Sequence, residues 1–362
     1  MSFLRLNRLA KVLIFIFLLL YTAPIFIYTN NLVFEKYFFL IMYFFVLMLM
    51  FLENINIKTK YNPIVINKYR FYSLLFLLIS AYVVIFLLTK DNYIEPFNRS
   101  TRNSIFLQGN AYVILDIVIK AIFCILIYSQ FVSQNNKNKR AIIVFLVIFA
   151  MAFDIVYLGA RRTSVFIFVA LVWAIVPFIK SKKYILLLFS LITLGIVNFL
   201  ISGFRELVYL GNTNLTFDQI IASSLLSNEY QLVSENFIKY KDYANSFGFG
   251  YGITIFSFPL LFVPRFIWNE KPLTIDKSTE IFPNLLGELY YNFGVFSIFF
   301  LLIYMFLIFY WIKKKNIFSM VVFSLIPELF RTSFSIFLFT LILYFIFINF
   351  FIIKIDVKKS FN

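Results

Sequence analysis

Long apolar runs dominate the chain, and short polar gaps divide them. The runs fall at about 12–28, 37–52, 71–89, 111–132, 141–158, 163–179, 184–201, 289–312, 317–330 and 333–353. About 20 apolar residues rising 1.5 Å each cross the hydrocarbon of a bilayer. The pattern therefore predicts an all-α polytopic integral membrane protein with about ten transmembrane helices. The first run follows Arg5, Arg8 and Lys11, as the apolar part of a signal peptide would. No small-x-small cleavage pattern follows it and further runs come after, so it is expected to stay as a span.

The gaps alternate in charge. Every second one is basic: Arg5, Arg8 and Lys11; Lys58, Lys60, Lys68 and Arg70; Lys137, Lys139 and Arg140; Lys180, Lys182 and Lys183; Lys313, Lys314 and Lys315; Lys354, Lys358 and Lys359. Only Glu53 and Asp356 oppose them. Short basic loops stay in the cytoplasm, so the chain is expected to run N-in and C-in. One gap breaks the short-loop pattern. Residues 202–285, between spans seven and eight, form a single large outer, periplasmic loop. Its first part carries Phe217, Ile220, Ile221, Leu225, Leu232, Val233, Phe237 and Tyr240 at a spacing that predicts one or two amphipathic helices over 214–243. SFGFGYG at 246–252 predicts a glycine-broken turn. ITIFSFPLLFV at 253–263 is too short to span and contains Pro259, so it reads as interfacial or re-entrant. No internal repeat or linker interrupts the chain. Residues 1–362 are read as a single membrane domain with the loop 202–285 inserted.

Composition narrows the chemistry. The chain is 62% hydrophobic with mean hydropathy +0.89, outside the range of soluble domains. Its net charge of +16 lies in short loops between spans, which argues against nucleic acid as a partner. The 52 Phe read mainly as lipid-facing and packing residues. There is no His and a single Cys. That excludes a disulfide framework, a His-based zinc site, a His general base and a Ser-His-Asp triad. No Asp-x-Asp pair of the kind that holds a metal on a nucleotide-sugar occurs either. Chemistry is left to Asp, Glu, Arg, Lys, Tyr or hydroxyls.

Lysine dominates the inner gaps, whereas arginine is prominent outside: Arg99, Arg102, Arg161, Arg162, Arg205, Arg265 and Arg331. Several carboxylates and one lysine lie at or just below the same surface. Asp116 and Lys120 sit one helical turn apart and can pair. Asp154 ends span five, Arg205 and Glu206 open the long loop, Glu288 begins span eight, and Glu328 and Arg331 share the turn between spans nine and ten. For any one arginine, ion pairing and interfacial snorkelling suffice as an explanation. The set comes from several separate places on one side, and arginine offers a planar fork suited to phosphate. The pattern fits an anionic substrate at the outer membrane surface, with a lipid-linked pyrophosphate as the obvious candidate.

GARRTS (159–164), SGFRE (202–206), PRFIWNEKP (264–272) and GELYYNFG (287–294), together with the span plan and one large late loop, resemble the bacterial O-antigen and capsule repeat-unit polymerases, the Wzy-type family. The resemblance covers nearly the whole chain. It implies a multi-pass protein of the bacterial inner membrane with its active site on the periplasmic side. It implies a partner too: oligosaccharide units on undecaprenyl pyrophosphate, joined into polymer, with membrane lipid around the protein and a chain-length regulator beside it. The residues suit that reaction. The leaving pyrophosphate needs positive charge, which Arg161, Arg162, Arg205, Arg265 and Arg331 would supply with no cofactor and no metal. The attacking hydroxyl needs a base, and Glu206, Glu288 and Asp154 are the candidates. Glu206 has a second reading, as the residue that orients Arg205. Trp268, Tyr251, Tyr290 and Tyr291 would stack on sugars, although interface anchoring is the commoner job of such aromatics.

Two rivals stand beside this metal-independent glycosyltransferase. An O-antigen ligase would use the same donor and pass the chain to a lipid core. A flippase or transporter of lipid-linked oligosaccharide would be expected to show paired halves and charges along a route through the membrane. Here no halves repeat, and the charges gather on one side. A membrane O-acyltransferase would be expected to use His.

Overall fold

The computed structural model describes residues 9–19, 22, 26, 33–51, 64, 66–90, 110–134, 136–158, 162–176, 200, 203–204, 207, 216–226, 229–256, 284–314, 316–330 and 332–356. Among them every regular element is helical. In chain order these are α1 (Leu9–Leu19), α2 (Val33–Phe51), α3 (Lys68–Thr89), α4 (Asn110–Ile127), α5 (Lys137–Ala152), α6 (Arg162–Ile175), α7 (Phe217–Leu226), α8 (Glu229–Phe247), α9 (Leu285–Phe293), α10 (Ser297–Lys313), α11 (Ile317–Ser324) and α12 (Phe334–Asp356). Wider π-helical turns extend α4 over Tyr128–Ser133 and α5 over Phe153–Tyr157. By length and composition, Lys68–Thr89, Ile114–Ser133, Lys137–Tyr157 and Leu285–Lys313 are each long and apolar enough to cross a membrane. Leu9–Leu19, Arg162–Ile175, Ile317–Glu328 and Ile336–Ile352 are shorter apolar helices. The protein is a helical membrane protein.

The apolar runs and the helices coincide, but α3, α5 and α9 begin three to four residues earlier than hydrophobicity alone predicts. Asparagine is the reason. Asn67 Oδ1 accepts from Arg70 N at 2.9 Å, Asn136 from Lys139 N at 3.2 Å, Asn284 from Gly287 N at 2.6 Å and Asn316 from Ser319 N at 2.9 Å. Each takes one of the amide protons that a helix start leaves without an intrahelical partner. The first turns of α3 and α5 thus contain basic residues that hydrophobicity assigns to loops. The loop prediction over 214–243 resolves into two helices, α7 and α8. The predicted seventh span, 184–201, lies outside the described residues except for residue 200, as does 257–263 of the re-entrant segment.

α4 is the centre of the bundle. Every residue from Ile119 to Gln130 is buried, and α3, α5, α6, α11 and α12 all pack on it. α4 also carries the Asp116–Lys120 pair, and ionisable groups at membrane depth face the bundle interior rather than lipid. α3 and α5 stand at the edge, and Phe76 and Phe145 project outward from them. Among the remaining elements, α6 packs on α11, α10 on α2 and α11, and α8 lies along α9. Between α9 and α10 the chain kinks at Gly294, whose φ of 56° and ψ of −133° suit glycine alone.

Contacts sort the helix ends into two groups. At one end Lys11 lies over Phe309, Lys139 over Phe71, and Gln134 donates to Ile66 O at 2.9 Å. At the other end lie the starts of α2, α4, α6, α9 and α12, with the ends of α5 and α11.

Candidate functional site

The second group of ends is organised by three consecutive residues. Arg162, Thr163 and Ser164 form the first turn of α6. Successive helical side chains are about 100° apart, so three of them fan out to three neighbours. Each meets a carboxylate from a different element. Arg162 Nε lies 3.6 Å from Glu328 Oε2, on the turn after α11. Thr163 donates to Asp116 of α4. Ser164 donates to Asp154 Oδ2 at 3.2 Å, on the π-helical end of α5. Asp116 also takes Lys120 Nζ at 2.5 Å, one turn further down α4, and Lys120 lies over the Phe166 ring. Thr163, Ser164, Asp154 and Lys120 are buried, whereas the Arg162 side chain is 37% exposed. At 3.6 Å its contact is an ion pair rather than a hydrogen bond. The fan binds four helices at one point and leaves the Arg162 side chain partly exposed, with its Nε buried and without a hydrogen bond.

The π-helical turn places Asp154. A π turn adds a residue to the ladder and rotates the side chains within and beyond it relative to a regular helix. Asp154 points inward to Ser164 as a result, while its neighbour Phe153 rests on Tyr82, 5.3 Å between ring centres.

Glu288 sits elsewhere. On α9 it is buried, and it accepts from Phe334 N at 2.5 Å. A carboxylate at a helix start meets free amide protons and the positive end of the dipole. Glu288 therefore ties α9 to the start of α12. Tyr290 is packed by rings: Phe38 at 5.6 Å, Phe237 at 5.5 Å and Phe249 at 6.3 Å. Tyr291 is half-buried against Tyr243 and Tyr240. Tyr251 stands almost fully exposed on the turn after α8. The structure thus places Tyr290 in packing, and Tyr251 and Tyr291 nearer the surface.

Of the residues selected from sequence, Arg162 and Asp154 are brought together at the start of α6. Glu288, Tyr290, Tyr291 and Tyr251 lie along α9 and the α8 turn. Arg161, Arg205, Glu206, Arg265, Arg331 and Trp268 lie outside the described residues. Sequence reading missed Thr163 and Ser164 as the partners of Asp116 and Asp154. It also missed the ion pair between Lys241 on α8 and the buried Glu35 at the start of α2. The T-S after the arginines offered a signal, since short hydroxyls in a first helical turn often serve polar partners. Nothing local could have joined Glu35 to Lys241.

No protein-family model matches the chain, and no curated protein or solved structure matches it.

Proposed function

We propose that this protein is a polymerase of lipid-linked oligosaccharides, a metal-independent glycosyltransferase with ten spans, both termini in the cytoplasm and its site at the outer face of a bacterial inner membrane. The observation that supports it most is the start of α6. Thr163 and Ser164 are tied inward to carboxylates, while Arg162 keeps an accessible guanidinium. A helix start adds free amide protons and a positive dipole end to that charge, a combination suited to phosphate. Arg161 is the adjoining residue, and Arg205, Arg265 and Arg331 are assigned to the same anion.

In this reading the arginines hold the pyrophosphate of the donor and balance the negative charge that develops on it as it leaves. A hydroxyl of the acceptor unit attacks the anomeric carbon, and its proton passes to a carboxylate. Glu288 already holds the start of α12 and Asp154 is held by Ser164, so Glu206 is assigned as the base. Removing a general base typically costs about 10²–10⁴ in rate. The partner is an undecaprenyl-pyrophosphate-linked oligosaccharide.

The test is a gel of surface polysaccharide from a strain lacking the gene, complemented with wild type, Arg162→Lys or Glu206→Gln, with membrane levels checked by blot. A core bearing one repeat unit and no ladder in the deletion supports the polymerase. A bare core sinks it and points to the ligase or the transporter. An unchanged ladder removes the protein from this chemistry.

A further inference from the structure

The segment after α8 has a composition that water does not explain. Residues 243–264 contain no charged side chain. α8 ends at Phe247, and the chain turns through Gly248 (φ 87°), Tyr251 (φ 46°) and Gly252 (φ 89°) into a single helical turn, Ile253–Phe256. The turn is not loose. Gly250 N donates to Tyr291 O at 2.9 Å, Ile253 N to Gly250 O at 2.9 Å, and Asn292 Nδ2 to Thr254 Oγ1 at 2.6 Å. Phe249 packs against Gly294, where a Cβ would lie 3.1 Å from its ring. A rigid tip is thus fixed to the side of α9, at the kink that leads into α10.

Beyond the exposed Asn245 and Ser246 of the last α8 turn, the large side chains this tip displays are apolar or aromatic. Tyr251 is 83% exposed, Phe247 76% and Phe296 70%, with Ile253 and Val295 exposed beside them. Phe296 opens a stripe of exposed residues that runs down α10 through Phe299, Ile303, Phe306 and Tyr310 at steps of three and four. That stripe is one face of a helix, and it belongs to Leu285–Lys313, which is long and apolar enough to cross a membrane. The apolar surface of the tip continues the lipid-facing surface of this span without a charged break. Lys239 and Asp242, one to two turns back on α8, are exposed and charged, so the change from polar to apolar occurs within the last turns of that helix.

We infer that the α8 turn is a membrane anchor: Phe247, Tyr251 and Ile253 insert into the hydrocarbon of the outer leaflet beside α10. The occupant of this surface is lipid. Insertion pins one end of α8 at the leaflet, while the Lys241–Glu35 ion pair and the packing of Phe237 on Phe38 and Phe39 hold its middle to the bundle. α8 is therefore a fixed wall of the outer loop. The inference rests on the protein being membrane-embedded with this end of the bundle outward, and it stands whether or not the polymerase reading does.

Cys124 is buried in α4, which suits single-cysteine labelling. In a Cys124→Ala background, Phe247→Cys and Ile253→Cys are spin-labelled in vesicles of phosphatidylethanolamine and phosphatidylglycerol. Ile303→Cys serves as the lipid reference and Lys239→Cys as the water reference. The expected result is that both tip labels collide several-fold more with oxygen than with a water-soluble nickel chelate, as Ile303→Cys does. Tip labels that behave like Lys239→Cys overturn the inference. So do tip labels shielded from both reagents, which would mean a protein contact. Lys239→Cys and Ile303→Cys must differ from each other in the same preparation, which shows that the variants are folded and inserted.

Discussion

Two arginines at helix starts, Arg140 and Arg162, have opposite fates. Arg140 lies in the first turn of α5, where its Nε donates to Gln130 O at 2.9 Å and its Nη2 to Phe131 O at 3.1 Å. Those carbonyls end α4, where the last turn of a helix leaves acceptors open. Its guanidinium also lies over the Phe131 ring, 5.2 Å from the centre. Arg140 is spent on structure: it joins two helix ends and satisfies backbone groups that lipid would leave without partners. Arg162 lies in the first turn of α6, and its partner among the described residues is a carboxylate too distant for a hydrogen bond. The tying there is done by Thr163 and Ser164. Arg140 is held by neutral backbone acceptors, whereas at Arg162 the neighbouring hydroxyls do the structural work, and the proposed function assigns its guanidinium to a ligand.

Three substitutions test that contrast, in decreasing order of effect on stability. Asp116→Asn leaves the buried Lys120 without its counter-charge, and breaking a buried pair from one side costs about 3 kcal/mol or more. Thermal unfolding in detergent should show the loss, and adding Lys120→Met should recover most of it. Arg140→Lys forfeits the two-pronged contact with the α4 carbonyls and should cost about 1.5 kcal/mol, within the range for hydrogen bonds to charged groups. Polymer made per folded molecule should stay at the wild-type level in that variant. Arg162→Lys should change stability least, by under about 0.5 kcal/mol, as for a partly exposed ion pair. The same change should abolish the polysaccharide ladder, because a lysine lacks the planar fork. If Arg162→Lys unfolds as readily as Arg140→Lys, Arg162 is a structural residue too and the contrast collapses.

The helices were legible because the signals that make them are local. A run of apolar residues and a glycine cluster at a turn each act within one or two turns of chain, whereas the asparagine caps that start α3, α5 and α9 went unread. Apolar spacing pointed to one or two helices over 214–243, and the structure divides them into α7 and α8. The pairing of Asp116 with Lys120 was legible for the same reason, since residues four apart share a helical face. The partners of Asp154 and Asp116 on α6 were not, and neither was the capping of α12 by Glu288.

The amino-acid sequence alone determined that this is a helical membrane protein and where most of its helices lie. Those properties depend on transfer of side chains to lipid and on hydrogen bonds within a few residues. Tertiary structure decided which arginine is consumed and which is left open, which carboxylate holds a helix and which faces a hydroxyl. Those outcomes join residues 47 positions apart at Thr163 and Asp116, and 206 apart at Lys241 and Glu35. Contacts over such separations depend on how the helices pack and, at Asp154, on one π-helical turn that rotates the carboxylate inward.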